Sequence, residues 1–238
     1  MKNLKRMVSG LLAGALLVGV ATLLNAYAAR NSHLGDGFDY ADTSVWTKAD
    51  GWTNGGMFNC TWRAGNINFS NGTMQLSINR DNNGSKPYSG AEYRSNDTFG
   101  YGLYQVRMKP AKNTGIVSSF FTYTGSPWDE IDIEFLGKDT TKVQFNYFTN
   151  GAGNHEKIYN LGFDASQSFH TYAFNWQRNY IAWLVDGKEV HRATSNIPST
   201  PGKIMMNIWP GTGVDSWLGA YNGNTPLTAS YDWVSYDP

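Results

Sequence analysis

An all-β fold, an antiparallel β-sandwich of jelly-roll type, is what the sequence predicts, and three observations carry the prediction. The 238 residues include 9 Trp, 14 Tyr and 12 Phe, an aromatic share of 15%, with 26 Gly beside them and only 16% charged residues. An average soluble domain carries roughly 25% charged residues, so the Glu/Lys/Ala surface of helical proteins is missing. Apolar and polar residues alternate in short runs broken by Gly, Asn and Asp, which is the period-two signature of half-buried strands. Beyond the amino terminus, no window holds a 3.6-residue apolar period long enough for a major helix. The abundance of large rings excludes disorder.

The chain begins with a targeting pattern. Lys2, Lys5 and Arg6 form a basic head, residues 8–24 are small and apolar, and Ala26-Tyr27-Ala28 is an A-x-A cleavage signal. This is the grammar of a secretory signal peptide. The alternative is a membrane anchor, since a run of about 17 apolar residues borders on spanning length. With the cleavage signal present, residues 1–28 are expected to be removed, leaving a secreted, extracellular protein with no membrane association. Residues 29–238 suit one all-β domain, which can run to about 200–250 residues.

Within that domain, runs 66–70 and 73–78 flank Asn71-Gly72, and runs 180–185 and 188–191 flank Asp186-Gly187. Both are two-residue hairpin signals. Further strand-like runs are 102–108, 116–123, 130–135, 142–148, 170–176, 203–209 and 230–236. Many short strands with frequent turns mean a sandwich or a barrel.

Composition also narrows function. Lys plus Arg and Asp plus Glu number 19 each, and this balance argues against nucleic acid or an anionic membrane as partner. A single cysteine, Cys60, allows no intramolecular disulfide, so the core must supply the stability, with or without a metal. The four histidines show no H-E-x-x-H spacing, and neither a G-x-S-x-G elbow nor a Walker loop is present. Residues 211–216 start like a dinucleotide loop but lack its third Gly and its helix. No cofactor is expected to take part in catalysis.

The informative segment is Trp128-Asp129-Glu130-Ile131-Asp132-Ile133-Glu134-Phe135. On a strand, Glu130, Asp132 and Glu134 share one face, while Ile131, Ile133 and Phe135 share the other. Charges turned to solvent are the plainer reading of such a run. Against it, three like charges side by side repel, and this chain is otherwise poor in charge and rich in rings. Two carboxyls flanking a bond are what glycoside hydrolysis needs, and retaining enzymes hold them about 5–5.5 Å apart. Residues four apart on a flat strand lie about 13 Å apart by the ~3.3 Å rise, so the two Glu must lean inward across a concave face. Asp132 between them can hydrogen-bond a neighbour, and its charge helps keep one Glu protonated. Spacing alone does not say which Glu attacks and which donates the proton.

Long stretches of the chain, 54–62, Glu92-Tyr93-Arg94-Ser95, 108–123, 128–137, 197–209 and 214–219, resemble the bacterial lichenases, endo-1,3-1,4-β-glucanases of glycoside hydrolase family 16. The resemblance spans essentially all of residues 29–238. It implies a concanavalin-like jelly roll with a concave substrate cleft. It also implies a monomeric, retaining endo-β-glucanase that cuts β-1,4 bonds next to β-1,3-linked glucose in mixed-linkage β-glucan by double displacement. By resemblance Glu130 is the nucleophile, Glu134 the general acid/base and Asp132 the assisting carboxylate. The unbulged E-I-D-I-E form is that of lichenases and xyloglucan-active relatives rather than of laminarinases. Other readings are a related glucan specificity and a sugar-binding sandwich without catalysis.

The resemblance further assigns the cleft to Asn54, Phe58, Glu92, Arg94, Phe120, Tyr123, Trp128, Asn146, Glu156, Asn207, Trp209 and Trp217. Rings interleaved with polar groups suit sugars, which present C–H faces and hydroxyl rims. A structural Ca²⁺ is implied at Gly37, Gly72 and Asp232, a carbonyl-plus-carboxylate set that suits a hard cation; a plain capping or salt-bridging role for Asp232 is the alternative. Three departures stand out. Gly90 occupies the place of the second cysteine that many relatives pair with the one corresponding to Cys60. The loop 124–127 is shorter than in the family, and Phe148 replaces a usual Tyr, which predicts one substrate hydroxyl contact fewer.

Overall fold

The structure, a computed structural model, describes residues 32–238; the expected signal peptide and its cleavage site lie outside the described residues. Three short strands, Leu34–Asp36 (β1), Trp46–Lys48 (β2) and Cys60–Trp62 (β3), precede the hairpin Ile67–Ser70 (β4) and Thr73–Arg80 (β5). There follow Tyr88–Ser95 (β6), Gly102–Lys109 (β7), Ile116–Tyr123 (β8), Glu130–Leu136 (β9), Lys142–Phe148 (β10) and Lys157–Asn160 (β11). His170–Gln177 (β12), the hairpin Tyr180–Val185 (β13) and Lys188–Ala193 (β14), Lys203–Pro210 (β15), a one-turn helix Asp215–Leu218 (α1) and Leu227–Asp237 (β16) complete the chain. Both dipeptide turns form as the sequence predicts. Asn71 and Gly72 take φ of 52° and 66°, Asp186 and Gly187 take 47° and 77°, as a type I′ turn requires.

The strands make two antiparallel layers. One has the order β11-β10-β9-β8-β15-β6 and the other β5-β16-β7-β12-β13-β14. They meet where Asn79 and Arg80 of β5 pair with Ser89 and Tyr88 of β6. The jelly-roll sandwich expected from the strand pattern is thus the observed architecture. Between the layers, Phe120, Ile131, Ile133, Phe135, Ile204, Met206 and Ile208 face Tyr104, Val106, Met108, Tyr172 and Phe174, all fully buried. Burying each such side chain contributes roughly 1.5–3 kcal/mol.

Buried side chains of the back layer hydrogen-bond to the backbone beneath the front one. The Trp183 indole donates to the Asp132 carbonyl at 3.1 Å, and the Tyr231 hydroxyl donates to the Ser119 carbonyl at 2.9 Å. They tie the floor of the front face to the core, so that face is a rigid platform.

Cys60 is a buried free thiol, and burial pushes its pKa well up, which leaves it unreactive. A Cβ on Gly90 would lie 2.9 Å from its Sγ and 2.7 Å from the Ile208 carbonyl oxygen. Glycine at 90 thus accommodates close approach of β3 and β15. Among the described residues, no helix is long and apolar enough to cross a membrane.

Candidate active site

The register of the front layer turns scattered residues into rows that run across strands. Glu134 on β9 lies between Gln144 on β10 and Ser119 on β8, and the row continues through Asn207 on β15 to Glu92 on β6. The next row reads Asn146, Asp132, Phe121, Met205, Arg94, and the third Phe148, Glu130, Tyr123, Lys203. Each strand presents every second residue to the same side, so three rows, the first wholly polar and the other two mixing polar groups with rings and Met205, floor one cleft. Its volume is about 1110 Å³. Loop residues Trp52, Asn54, Met57, Phe58, Trp128 and Glu156 wall it, with Trp209 from β15 and Trp217 from α1.

Every cleft residue expected from the sequence lines this cavity except Phe120. Its ring is fully buried, 5.6 Å from Phe174 in the sandwich core. The expectation is corrected by strand alternation: Phe120 and Tyr123 are three apart on β8 and cannot share a face. Phe121, which pairs with Asp132 across the strands, is the cleft residue. Ser119, Gln144, Met205 and Lys203 were also unforeseen. Their signal was present in the period-two pattern of runs 116–123, 142–148 and 203–209, once one residue of each run is placed in the cleft.

The carboxyls sit where burial opposes their charge. Burial pushes Glu130 up to about 7 and Glu134 up to about 8, with the charges of Glu130 and Glu156 adding to the latter. Asp132 is raised well above the carboxylate range by burial and by the charges on either side. The donors differ. The Trp128 indole donates to Glu130 Oε2 at 2.5 Å, and Asp132 also hydrogen-bonds Glu130. The Gln144 carboxamide donates to Glu134 Oε2 at 2.7 Å. Two donors favour the charged form of Glu130 more than one favours that of Glu134.

At the other end of the rows, Glu92 is pushed up to about 7 by burial, eased by Arg94 and Asn207. Arg94 lies 3.7 Å from Glu92 and stacks over Trp52 at 4.9 Å. Ser119 donates to the Asn207 side-chain oxygen at 2.5 Å. Trp62 donates to the Asn54 side-chain oxygen at 2.9 Å, which leaves the Asn54 amide nitrogen for a ligand. Phe58 and Trp209 lie 4.2 Å apart, Trp209 and Trp217 6.1 Å, and Trp128 stacks on Phe148 at 4.5 Å. Rings thus flank both ends of the acid row. Polar groups able to meet hydroxyls lie between them.

Asp129 had no role assigned from sequence. Its buried carboxylate accepts the backbone N–H groups of Asn150, Ser199 and Thr200 at 2.8, 3.1 and 3.0 Å. Burial works against its charge, but these donors outweigh it and hold the carboxyl below its usual range. It clamps two loops to the residue before Glu130 and so sets where Trp128 stands.

The family model for glycosyl hydrolases family 16 matches residues 54–235. The chain belongs to glycosyl hydrolase family 16. Within this family it is 69% identical over 202 residues to a beta-glucanase of Paenibacillus polymyxa, covering 83% of this chain and 84% of that one. Among solved structures, a prokaryotic beta-1,3-1,4-glucanase (lichenase) from a mouse hindgut metagenome superposes with a TM-score of 0.86 at 73% identity, covering 87% of this chain and 99% of that one. The beta-glucanase of Bacillus licheniformis gives 0.84 at 61%, covering 88% and 99%. The family 16 cleft accordingly has its acid row on β9 and its rings on the rims.

The residues expected to hold a metal adjoin β16 in the strand pairing. Asp36, next to Gly37, pairs with Val234 of β16, and Met74, two beyond Gly72, pairs with Tyr231. Asp232 lies between, at the irregularity where β16 shifts register. Gly37 and Gly72 offer carbonyl oxygens and Asp232 a carboxylate, a donor set of the kind a hard cation takes. Asp232 is ion-paired with Arg107, as its alternative role anticipates.

Proposed function

We propose that this glycoside hydrolase cleaves mixed-linkage β-glucan, cutting β-1,4 bonds next to β-1,3-linked glucose with retention, and that export through residues 1–28 delivers it outside the cell as a monomeric single domain. The observation that carries the reading is the row of three carboxyls on one strand face in the middle of a ring-lined cleft. Its polymer specificity rests on what the similar proteins are named to act on: the hindgut enzyme is called a beta-1,3-1,4-glucanase.

In the proposed reaction Glu130 attacks the anomeric carbon while Glu134 gives its proton to the leaving oxygen. The glycosidic C–O bond breaks and an ester to Glu130 forms. Water then attacks the same carbon, its proton passes to Glu134 and the ester breaks, which restores both groups. Two features support this division of roles. The donors on Glu130 favour its anion, whereas Glu134, with one donor and facing Glu130 and Glu156, holds its proton to higher pH. Asp132, kept neutral by its position, donates to Glu130 and orients it. Reducing-sugar release from barley β-glucan, laminarin, carboxymethylcellulose and xyloglucan, with product sizing, tests the specificity. Tri- and tetrasaccharides from the mixed-linkage polymer alone are expected; release from laminarin or xyloglucan instead would overturn it.

A structural Ca²⁺ would be held by the Gly37 and Gly72 carbonyls and Asp232, joining β1, the β4–β5 turn and β16; bound there, it supplies cross-linking rather than chemistry. A ligand that binds only the folded state stabilises it by mass action. Excess chelator is therefore expected to lower the melting temperature and calcium to restore it, and an unchanged melt would remove the metal from this site.

A further inference from the structure

Glu134 has a partner with no assigned function. Gln144 is buried and lies directly across from Glu134 on the neighbouring strand. Its Nε2 donates to Glu134 Oε2 at 2.7 Å, and its Oε1 accepts from the Trp217 indole at 3.1 Å. A carboxamide could in principle present either end to Glu134. The indole N–H decides, because it can only donate. The Gln144 atom facing Trp217 must be the oxygen, so the one facing Glu134 must be the N–H₂. Trp217 is itself anchored: α1 closes on the Val214 carbonyl, and Lys138 donates to the Trp217 carbonyl. The chain Trp217, Gln144, Glu134 therefore has one polarity.

That polarity distinguishes the two oxygens of Glu134. An oxygen already accepting an N–H is a poor place for a proton that must be given away. We propose that Gln144 is the positioning residue of the acid/base: locked by Trp217, it occupies Oε2 and leaves Oε1 as the oxygen that carries the proton to and from the reacting centre. This rests on Glu134 being the acid/base. The same N–H favours the Glu134 anion and so counteracts the groups that disfavour it. Those are Glu130 on its own strand and Glu156 from the segment before β11; Asp132, held neutral between the two glutamates, Ser119 on β8 and Gln144 on β10 bring no charge.

The test is the pH profile of kcat/KM on β-glucan for the wild type, Gln144→Leu, Gln144→Met and Trp217→Phe, with folding checked by melting curves. One hydrogen bond to a charged group is worth about one pKa unit. The alkaline limb is expected to move up by about that unit in both Gln144 variants, with kcat about tenfold lower. Trp217→Phe, which keeps a ring but frees the carboxamide to turn, should move the limb the same way by less. Gln144→Met keeps the length of the side chain, so it reports even where Leu disturbs packing. A raised KM with an unmoved alkaline limb would make Gln144 a substrate contact only and overturn the proposal. Glu134→Ala separates this from failure of the underlying assignment: loss of polymer cleavage, with azide restoring turnover of an activated aryl glycoside, upholds the acid/base role whatever Gln144 does. Full polymer activity in Glu134→Ala would sink both.

Discussion

Glu130→Gln is expected to lower kcat on β-glucan by on the order of 10⁴-fold or more, because a carboxamide can neither form nor release the glycosyl ester. The fold should survive. The substitution keeps the shape and keeps an oxygen that can accept the Trp128 indole N–H. Stability supplies an independent reading with a definite sign. Burial raises the Glu130 carboxyl from its ordinary 4.5 to about 7, so the folded protein holds a proton there that the unfolded chain has released. The associated stability is complete below about pH 4.5 and is lost as pH rises through about 7. Glutamine has no proton to lose, and its neutrality also relieves Asp132, whose ionisation Glu130 opposes. The melting temperature of Glu130→Gln relative to wild type should therefore climb between about pH 5 and about pH 9. Retained activity would remove Glu130 from the chemistry. A melting difference that stays flat with pH would show that its carboxyl is not held in the buried, proton-retaining state described above.

What the sequence could and could not convey follows from what each pattern encodes. Alternation on a single strand is local, so the shared face of Glu130, Asp132 and Glu134 was legible from residues 130–135 alone. The Asn71-Gly72 and Asp186-Gly187 turns were legible for the same reason, since two residues suffice to require the left-handed pair. Rows across strands are a different matter. Gln144 beside Glu134 and Asn207 beside Glu92 depend on register between segments many residues apart, and register is set by the packed core and the turns together. Alternation with Asn146 puts Gln144 on the cleft face, but nothing in its own segment names Glu134 as its partner. Asp129 was equally hidden, because its partners are backbone amides of Asn150, Ser199 and Thr200, which any residue type can offer. The strands β1, β2 and β11 are too short to carry a period of their own.

The Phe120 and Phe121 pair shows how one residue of slip changes an assignment, and it gives a large contrast to measure. Adjacent on β8, the two rings point to opposite sides of the front layer. Phe120 belongs to the main buried cluster and meets Phe174 at 5.6 Å across the sandwich. Phe121 lies outside that cluster, in the cleft beside Asp132 and Met205. Removing a core phenylalanine takes away its transfer energy and leaves a cavity, a cost of about 3–5 kcal/mol. For a domain of this size, Phe120→Ala should lower the melting temperature by on the order of 10 °C, with KM of the folded fraction little changed. Phe121→Ala opens space toward the cleft rather than inside the sandwich, so its stability cost should be smaller than that of Phe120→Ala. Loss of a ring against a sugar face should instead raise KM by roughly tenfold, the equivalent of about 1.4 kcal/mol. The reverse outcome, a stable Phe120→Ala with weakened substrate binding and a destabilised Phe121→Ala, would mean that β8 sits one residue out of the register described here. Every row of the cleft that crosses β8 would then have to be redrawn.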